Sequence, residues 1–123
     1  MTEGEGTGAD PLPLRLRALL EGQARLGETI SYREVAARLD LVPPGVIGRV
    51  GAALEVLMAQ DAAAGRPLLA ALCVSRLDPG LPRRGFFDMA ARLGLFSGDP
   101  DGPEARVFHA HELSRLLADR PRT

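Results

Sequence analysis

Ile30-Ser31-Tyr32-Arg33-Glu34-Val35-Ala36-Ala37-Arg38-Leu39 is the stretch on which the reading of the whole chain turns. Ser31 followed by Glu34 has the spacing of a capping box, in which the Ser oxygen meets the amide three residues on and the Glu reaches back. That fixes a helix start and predicts a short helix over about Tyr32–Leu39, with Val35, Ala36 and Leu39 facing inward. Thr29 and Ile30 are expected to make a one- or two-residue strand just before it. Two adjacent prolines, Pro43 and Pro44, then force non-helical backbone at Val42 and Pro43, while Pro44 suits the first turn of a following helix. That next helix is predicted over about Gly45–Ala63, burying Val46 or Ile47, Val50, Leu54 and Leu57 or Met58. Gly48, Gly51, Ala52 and Ala53 give it a slim early face. Small residues there suit the close approach of a neighbouring helix or of a nucleic-acid backbone.

Working outward, Leu16, Leu19, Leu20 and Ala24 recur at helical spacing and predict a helix over about Leu14–Leu26, ended by Gly27. Residues 1–10 are polar and Gly-rich and are expected to form a disordered tail. Downstream, Leu68–Val74 is a short apolar run bounded by breakers and is expected to be a buried strand. Asp78-Pro79-Gly80 is a turn signal, and Leu81–Gly85 would return the chain to complete a wing. Gly85 or Phe86 should begin a helix to about Leu93. After a Gly-, Asp- and Pro-rich loop, Pro103 should open a last helix to about Ala118, burying Val107, Phe108, Leu113, Leu116 and Leu117. The fold class expected is α+β, mostly helical: a winged helix-turn-helix with an added C-terminal helix, one domain over residues 11–123.

Bulk properties narrow the functional classes. A chain of 123 residues that is 46% hydrophobic and 25% charged can bury a core without staples or metals. One cysteine rules out an internal disulfide and fits a reducing cytoplasm. No apolar run approaches the roughly 20 residues of a membrane span, and the N-terminus is not a signal peptide, so a cytoplasmic protein is expected. A net charge of −1 argues against strong nonspecific nucleic-acid binding. The distribution is less discouraging: residues 30–97 hold eight Arg against six acids, and Arg66–Arg92 holds five Arg against Asp78 and Asp88. Every Lys or Arg position is Arg, whose fork suits phosphates and guanine edges, although Arg codons in a GC-rich genome are the simpler explanation of the bias.

Three motifs carry a resemblance: Ile30-Ser31-Tyr32-Arg33-Glu34-Val35-Ala36, Gly48-Arg49-Val50-Gly51-Ala52-Ala53 and Leu72-Cys73-Val74-Ser75-Arg76. With them, residues 29–86 resemble the DNA-binding half of the alkylguanine-DNA alkyltransferases and their alkyltransferase-like relatives. The first motif matches the family's Thr-Ser-Tyr-Gly-Glu opening well, the second its Arg-Ala-Val-Gly helix in part, and the third its Pro-Cys-His-Arg-Val poorly. The resemblance implies a DNA-binding platform. Its departures decide the chemistry. Val74 stands where the family's activating His belongs and Leu72 where its Pro belongs. Without that His a thiol of pKa about 8.5 stays mostly protonated. Arg49 is one residue out of register with the family's base-displacing Arg, about 100° around a helix. The chain is therefore expected to keep the platform and to have lost the reaction. It is expected not to be an enzyme, and no cofactor is expected.

Other constellations are weaker. His109 and Glu112 share a helical face, but His111 points elsewhere and no third ligand has suitable spacing, so a solvated surface and no metal are expected. Asp99 and Asp101 sit in a loop lacking the length and terminal Glu of a calcium site. Ser75 has no triad partner nearby in sequence. The nucleic-acid-binding candidates are Ser31, Tyr32, Arg33 and Arg49 facing a groove, with Arg76, Arg83 and Arg84 on the backbone. The first functional reading is a non-catalytic winged-helix protein binding double-stranded DNA, in regulation, repair or defence. The alternative is a protein-interaction module, a homodimer or adaptor docking through the apolar final helix with Phe108, Leu113, Leu116 and Leu117.

Overall fold

Ser31 caps its helix as the spacing predicts. Its Oγ accepts the Glu34 amide at 3.0 Å, and the residue itself is extended at φ −81°, ψ 158°. The reciprocal half of the box is not made, because the Glu34 carboxylate turns to Arg38 at 2.7 Å and Arg76 at 3.6 Å. The computed structural model describes residues 11–76 and 80–118. The expected tail at 1–10, and Asp78 and Pro79 of the expected turn, lie outside the described residues.

Helices α1 (Leu12–Leu26), α2 (Tyr32–Arg38), α3 (Val46–Ala63), α4 (Arg84–Arg92) and α5 (Pro103–Ala118) carry most of the described chain. Gly27 ends α1 at φ +72°, its amide bonding back to Ala24, the left-handed cap that glycine adopts without a Cβ clash. Pro44 falls outside α3, whose N-cap is Gly45 at φ +74°. The connection between α2 and α3 runs from Leu39 to Gly45, longer than the three- to four-residue turn of a compact helix-turn-helix. Two short strands, β1 (Ile30–Ser31) and β2 (Cys73–Val74), pair in parallel with Ile30 opposite Cys73 and Ser31 opposite Val74. The architecture is α+β and mostly helical.

Leu16 and Leu20 of α1, Val35 of α2, Leu57 and Met58 of α3 and Phe87 of α4 meet in one core cluster, each essentially sealed from solvent. Burial of a side chain of this size contributes about 1.5–3 kcal/mol. Phe86, Phe87, Phe96 and Phe108 extend the core as an aromatic group, with ring centroids 5.1–6.0 Å apart.

Two expectations are corrected here. Leu68–Val74 is not a strand throughout: Leu69–Leu72 is a turn of 3₁₀-helix, and only Cys73 and Val74 pair. The reason lies in distant carboxylates. The Leu69 amide donates to Asp61 Oδ2 at 3.1 Å and the Leu68 amide to Glu112 Oε1 at 3.0 Å, while His109 Nε2 donates to the Ala71 carbonyl at 2.8 Å. Backbone groups satisfied this way do not need a neighbouring strand. Among the described residues there is also no strand in Leu81–Gly85, although the Ser75 amide donates to the Leu81 carbonyl at 2.8 Å.

The second correction follows from the first. His109 and Glu112 do not form a solvated surface; they are 6% and 4% exposed and, with Ala105 and Leu116, make the inward face of α5. Val107, expected inside, is 69% exposed, whereas Phe108 and Leu113 pack against the edge of the core. The helix is turned so that its polar pair reaches the 3₁₀ segment.

Burial lowers the His109 pKa from its ordinary 6.5, the bond to Ala71 opposing that shift only in part. The folded protein therefore binds this proton less readily than the unfolded chain, so stability must fall as the pH drops through the unfolded value. Denaturant midpoints are expected to be level above about pH 7.5 and to decline from about pH 6.5 downward. His109→Gln is expected to remove the part of that decline between about pH 6.5 and 5.5. An unchanged profile in the variant would show that the imidazole is not its source.

Candidate nucleic-acid interface

Tyr32 joins the start of α2 to the start of α4. It is 7% exposed, and its hydroxyl accepts the Arg83 amide at 2.9 Å while the Arg83 guanidinium lies 5.8 Å from its ring centroid. Burial, foremost, raises the pKa of the phenol, so it stays neutral and holds this bond. Tyr32 thus positions Arg83. Ser31 is likewise 6% exposed, with its hydroxyl committed to the Glu34 amide. These two site candidates act through the fold.

The arginines divide into two groups. Arg33, on the outer side of α2, and Arg83 are exposed and have no carboxylate partner among the described residues. Arg49 is exposed on α3, donates to the Val42 carbonyl at 3.4 Å and lines a separate recess with Leu12, Arg15 and Leu41. By contrast, Arg76 pairs with Glu34 at 3.6 Å, and Arg84 pairs with Asp101 at 2.9 Å and with Asp88 at 3.9 Å. All these partners are substantially exposed, and ion pairs of that kind are worth about 0.2–1 kcal/mol. A polyanion can displace them.

Tyr32, Gly48, Gly51, Glu55, Arg83 and Phe86 line a groove of about 490 Å³ along the first turns of α3. The slim face of that helix is open there. A Cβ placed on Gly48 or Gly51 would meet nothing within 4 Å, so helix packing does not account for either glycine. Ala53, on the opposite side, is 4% exposed and does serve packing. Glu55 marks the far end of the groove, where it pairs with Arg92 at 3.4 Å. Sequence reasoning missed Glu55, although it lies four residues beyond Gly51 on the same helical face.

The remaining chemistry is muted. Cys73 is fully buried, and burial pushes its thiol up to about 12, leaving little thiolate at neutral pH. Among the described residues, no group of three or more His, Cys, Asp or Glu is placed to hold a metal ion. No described helix is long and apolar enough to cross a membrane. Fold and groove together define a small, mostly helical α+β protein with an open groove along its third helix, lined by Arg83 and Glu55. Compared with known proteins, the chain matches no family model, no curated protein and no solved structure.

Proposed function

We propose that this protein binds double-stranded DNA without catalysing a reaction on it. In this reading α2 and α3 act as a helix-turn-helix with a lengthened turn. The observation that carries the proposal is the uncovered Gly48–Gly51 face of α3 lying in one groove with Arg83. A helix face without side chains lets a backbone come close, and a guanidinium beside it supplies the phosphate contact. Arg33 and Arg49 add contacts from α2 and α3, and Arg76 and Arg84 join by exchanging carboxylate for phosphate. The resemblance to the alkyltransferase-like platform points the same way. Of the residues behind the competing protein-docking reading, Leu116 is buried and Phe108 packs on Phe86 and Phe96, while Leu113 and Leu117 are half-buried.

With a net charge of −1 and few phosphate contacts, binding should be modest and steeply salt-dependent. Fluorescence anisotropy on a mixed-sequence duplex at about 50 mM salt is the direct test, because phosphate contacts are strongest there. Absence of binding under that condition rules the reading out. Arg83→Ala is expected to lower the log–log salt slope by about 0.9 without altering sequence preference.

A further inference from the structure

A second recess shares Arg83 and Gly85 with the groove but opens against the segment leading into α5. We propose that it is a binding site for a phosphomonoester attached to an organic body, of about mononucleotide size. Its volume of about 560 Å³ falls within the about 300–1,000 Å³ of small-molecule sites and far exceeds what inorganic phosphate would fill.

Charge selects the head group. Arg83, Arg84 and Arg106 line the recess against one carboxylate, Asp101. Arg106 has no carboxylate partner among the described residues. Glu104 lies two residues before it on α5, and side chains at that spacing do not face each other. Arg84 is compensated by Asp101 and Asp88, so the two positive charges of Arg83 and Arg106 match a phosphomonoester, which carries about −1.5 to −2 at neutral pH, better than the single charge of a backbone phosphodiester. The start of α4 reinforces the field, having no side-chain cap and no acid in its first turn.

The carboxylate wall is preorganised. The Asp101 amide donates to Asp99 Oδ1 and the Gly102 amide to the Asp99 carbonyl, both at 2.9 Å. A Cβ on Gly102 would stand 3.1 Å from the Asp99 Cβ and 3.5 Å from its carbonyl oxygen, so the turn leaves little room there. Asp101 therefore holds the Arg84 guanidinium at the rim, at 2.9 Å, in a pair whose side chains are 61% and 73% exposed. A phosphate dianion offers more acceptor oxygens than this carboxylate and takes its place. Leu81, Pro82, Phe87 and Pro100 supply apolar lining for the organic body.

The proposal goes beyond duplex binding and does not depend on it. Amide NMR titrations of the full chain with each of the four deoxynucleoside 5′-monophosphates, at about 50 mM salt, are the test. At least one is expected to shift Gly85, Asp101, Gly102 and Arg106, while the matching nucleoside without phosphate shifts none of them. Arg106→Ala should weaken that binding by about tenfold, the loss of one charge-assisted contact. Asp101→Asn should tighten it by about two- to threefold, the worth of an exposed pair. A short single strand with and without a 5′-phosphate separates the two sources of the head group. Tighter binding of the phosphorylated strand than of the monophosphate assigns a nucleic-acid end, and the reverse assigns a free nucleotide. The site is overturned if no monophosphate shifts these amides, if the nucleosides shift them equally, or if Arg106→Ala binds as the parent does. Monophosphate binding without duplex binding removes the DNA reading alone.

Discussion

Asp61→Ala is expected to lower the stability of this protein by about 3–5 kcal/mol, the range for breaking a buried ionic arrangement by removing one partner. Asp61 is 0% exposed in the last turn of α3. One carboxylate oxygen accepts the Leu69 amide at 3.1 Å, and the other lies 3.0 Å from both Arg17 of α1 and Arg66. Truncation leaves the Leu69 amide buried without a partner, worth about 1–3 kcal/mol by itself. It also leaves the Arg17 guanidinium, 18% exposed, beside Gln60 without its counterion. Asp61→Asn keeps an acceptor for the amide and gives up the charge, so it should cost less. Urea or guanidinium melts of the two variants separate these contributions. A loss below about 1 kcal/mol for the alanine variant would mean that apolar packing alone seats the 3₁₀ segment.

That carboxylate also shows where the sequence was legible and where it was not. Ser31, Gly27 and the apolar periodicity around them are local signals, and the helices they predict are present with boundaries shifted by a few residues. Asp61 carried a readable sign as well, since it continues the buried stripe of Val50, Leu54 and Leu57 at helical spacing. An acid on an apolar stripe asks for a buried partner. Which partner could not be read, because the Leu69 amide becomes a donor only once Leu68–Val74 declines to be a strand. The same demand turned α5: hydrophobicity favoured Val107 inward, but the Leu68 amide and the Ala71 carbonyl required Glu112 and His109. These contacts span 44 and 38 residues, beyond any local pattern.

The site divides in the same way. Arg33, Arg49 and Arg83 could be picked from residue type and position. Whether they were free depended on acids elsewhere. Asp101, read only as part of a loop unable to bind calcium, is the counterion of Arg84 across 17 residues. The slim face of α3 left two explanations open from sequence, and its openness became readable only when no neighbour was found over Gly48 or Gly51.

Gly48→Glu should therefore separate stability from binding by moving them in opposite directions. Gly48 lies in the first turn of α3, three residues after the N-cap Gly45, and a side chain there enters open space. Replacing a helical glycine with a good helix former gains at most about 0.5–1 kcal/mol, the mid-helix value. An acid in the first turn adds about 0.3–1 kcal/mol by facing the positive end of the helix. The variant should melt at a higher denaturant concentration than the parent. On DNA the same carboxylate would meet the phosphates that the bare face admits, and duplex affinity should fall at least about tenfold, the equivalent of 1.4 kcal/mol. Gly48→Arg is the matched control, with comparable bulk and opposite charge, and should bind at least as tightly as the parent at low salt. Because the destabilised-fold explanation is excluded by the melting result, a loss of affinity in the Glu variant alone identifies this face as the contact surface. Equal duplex affinity for the Glu, Arg and parent proteins would place any DNA contact away from α3, and with it the role of the open glycines.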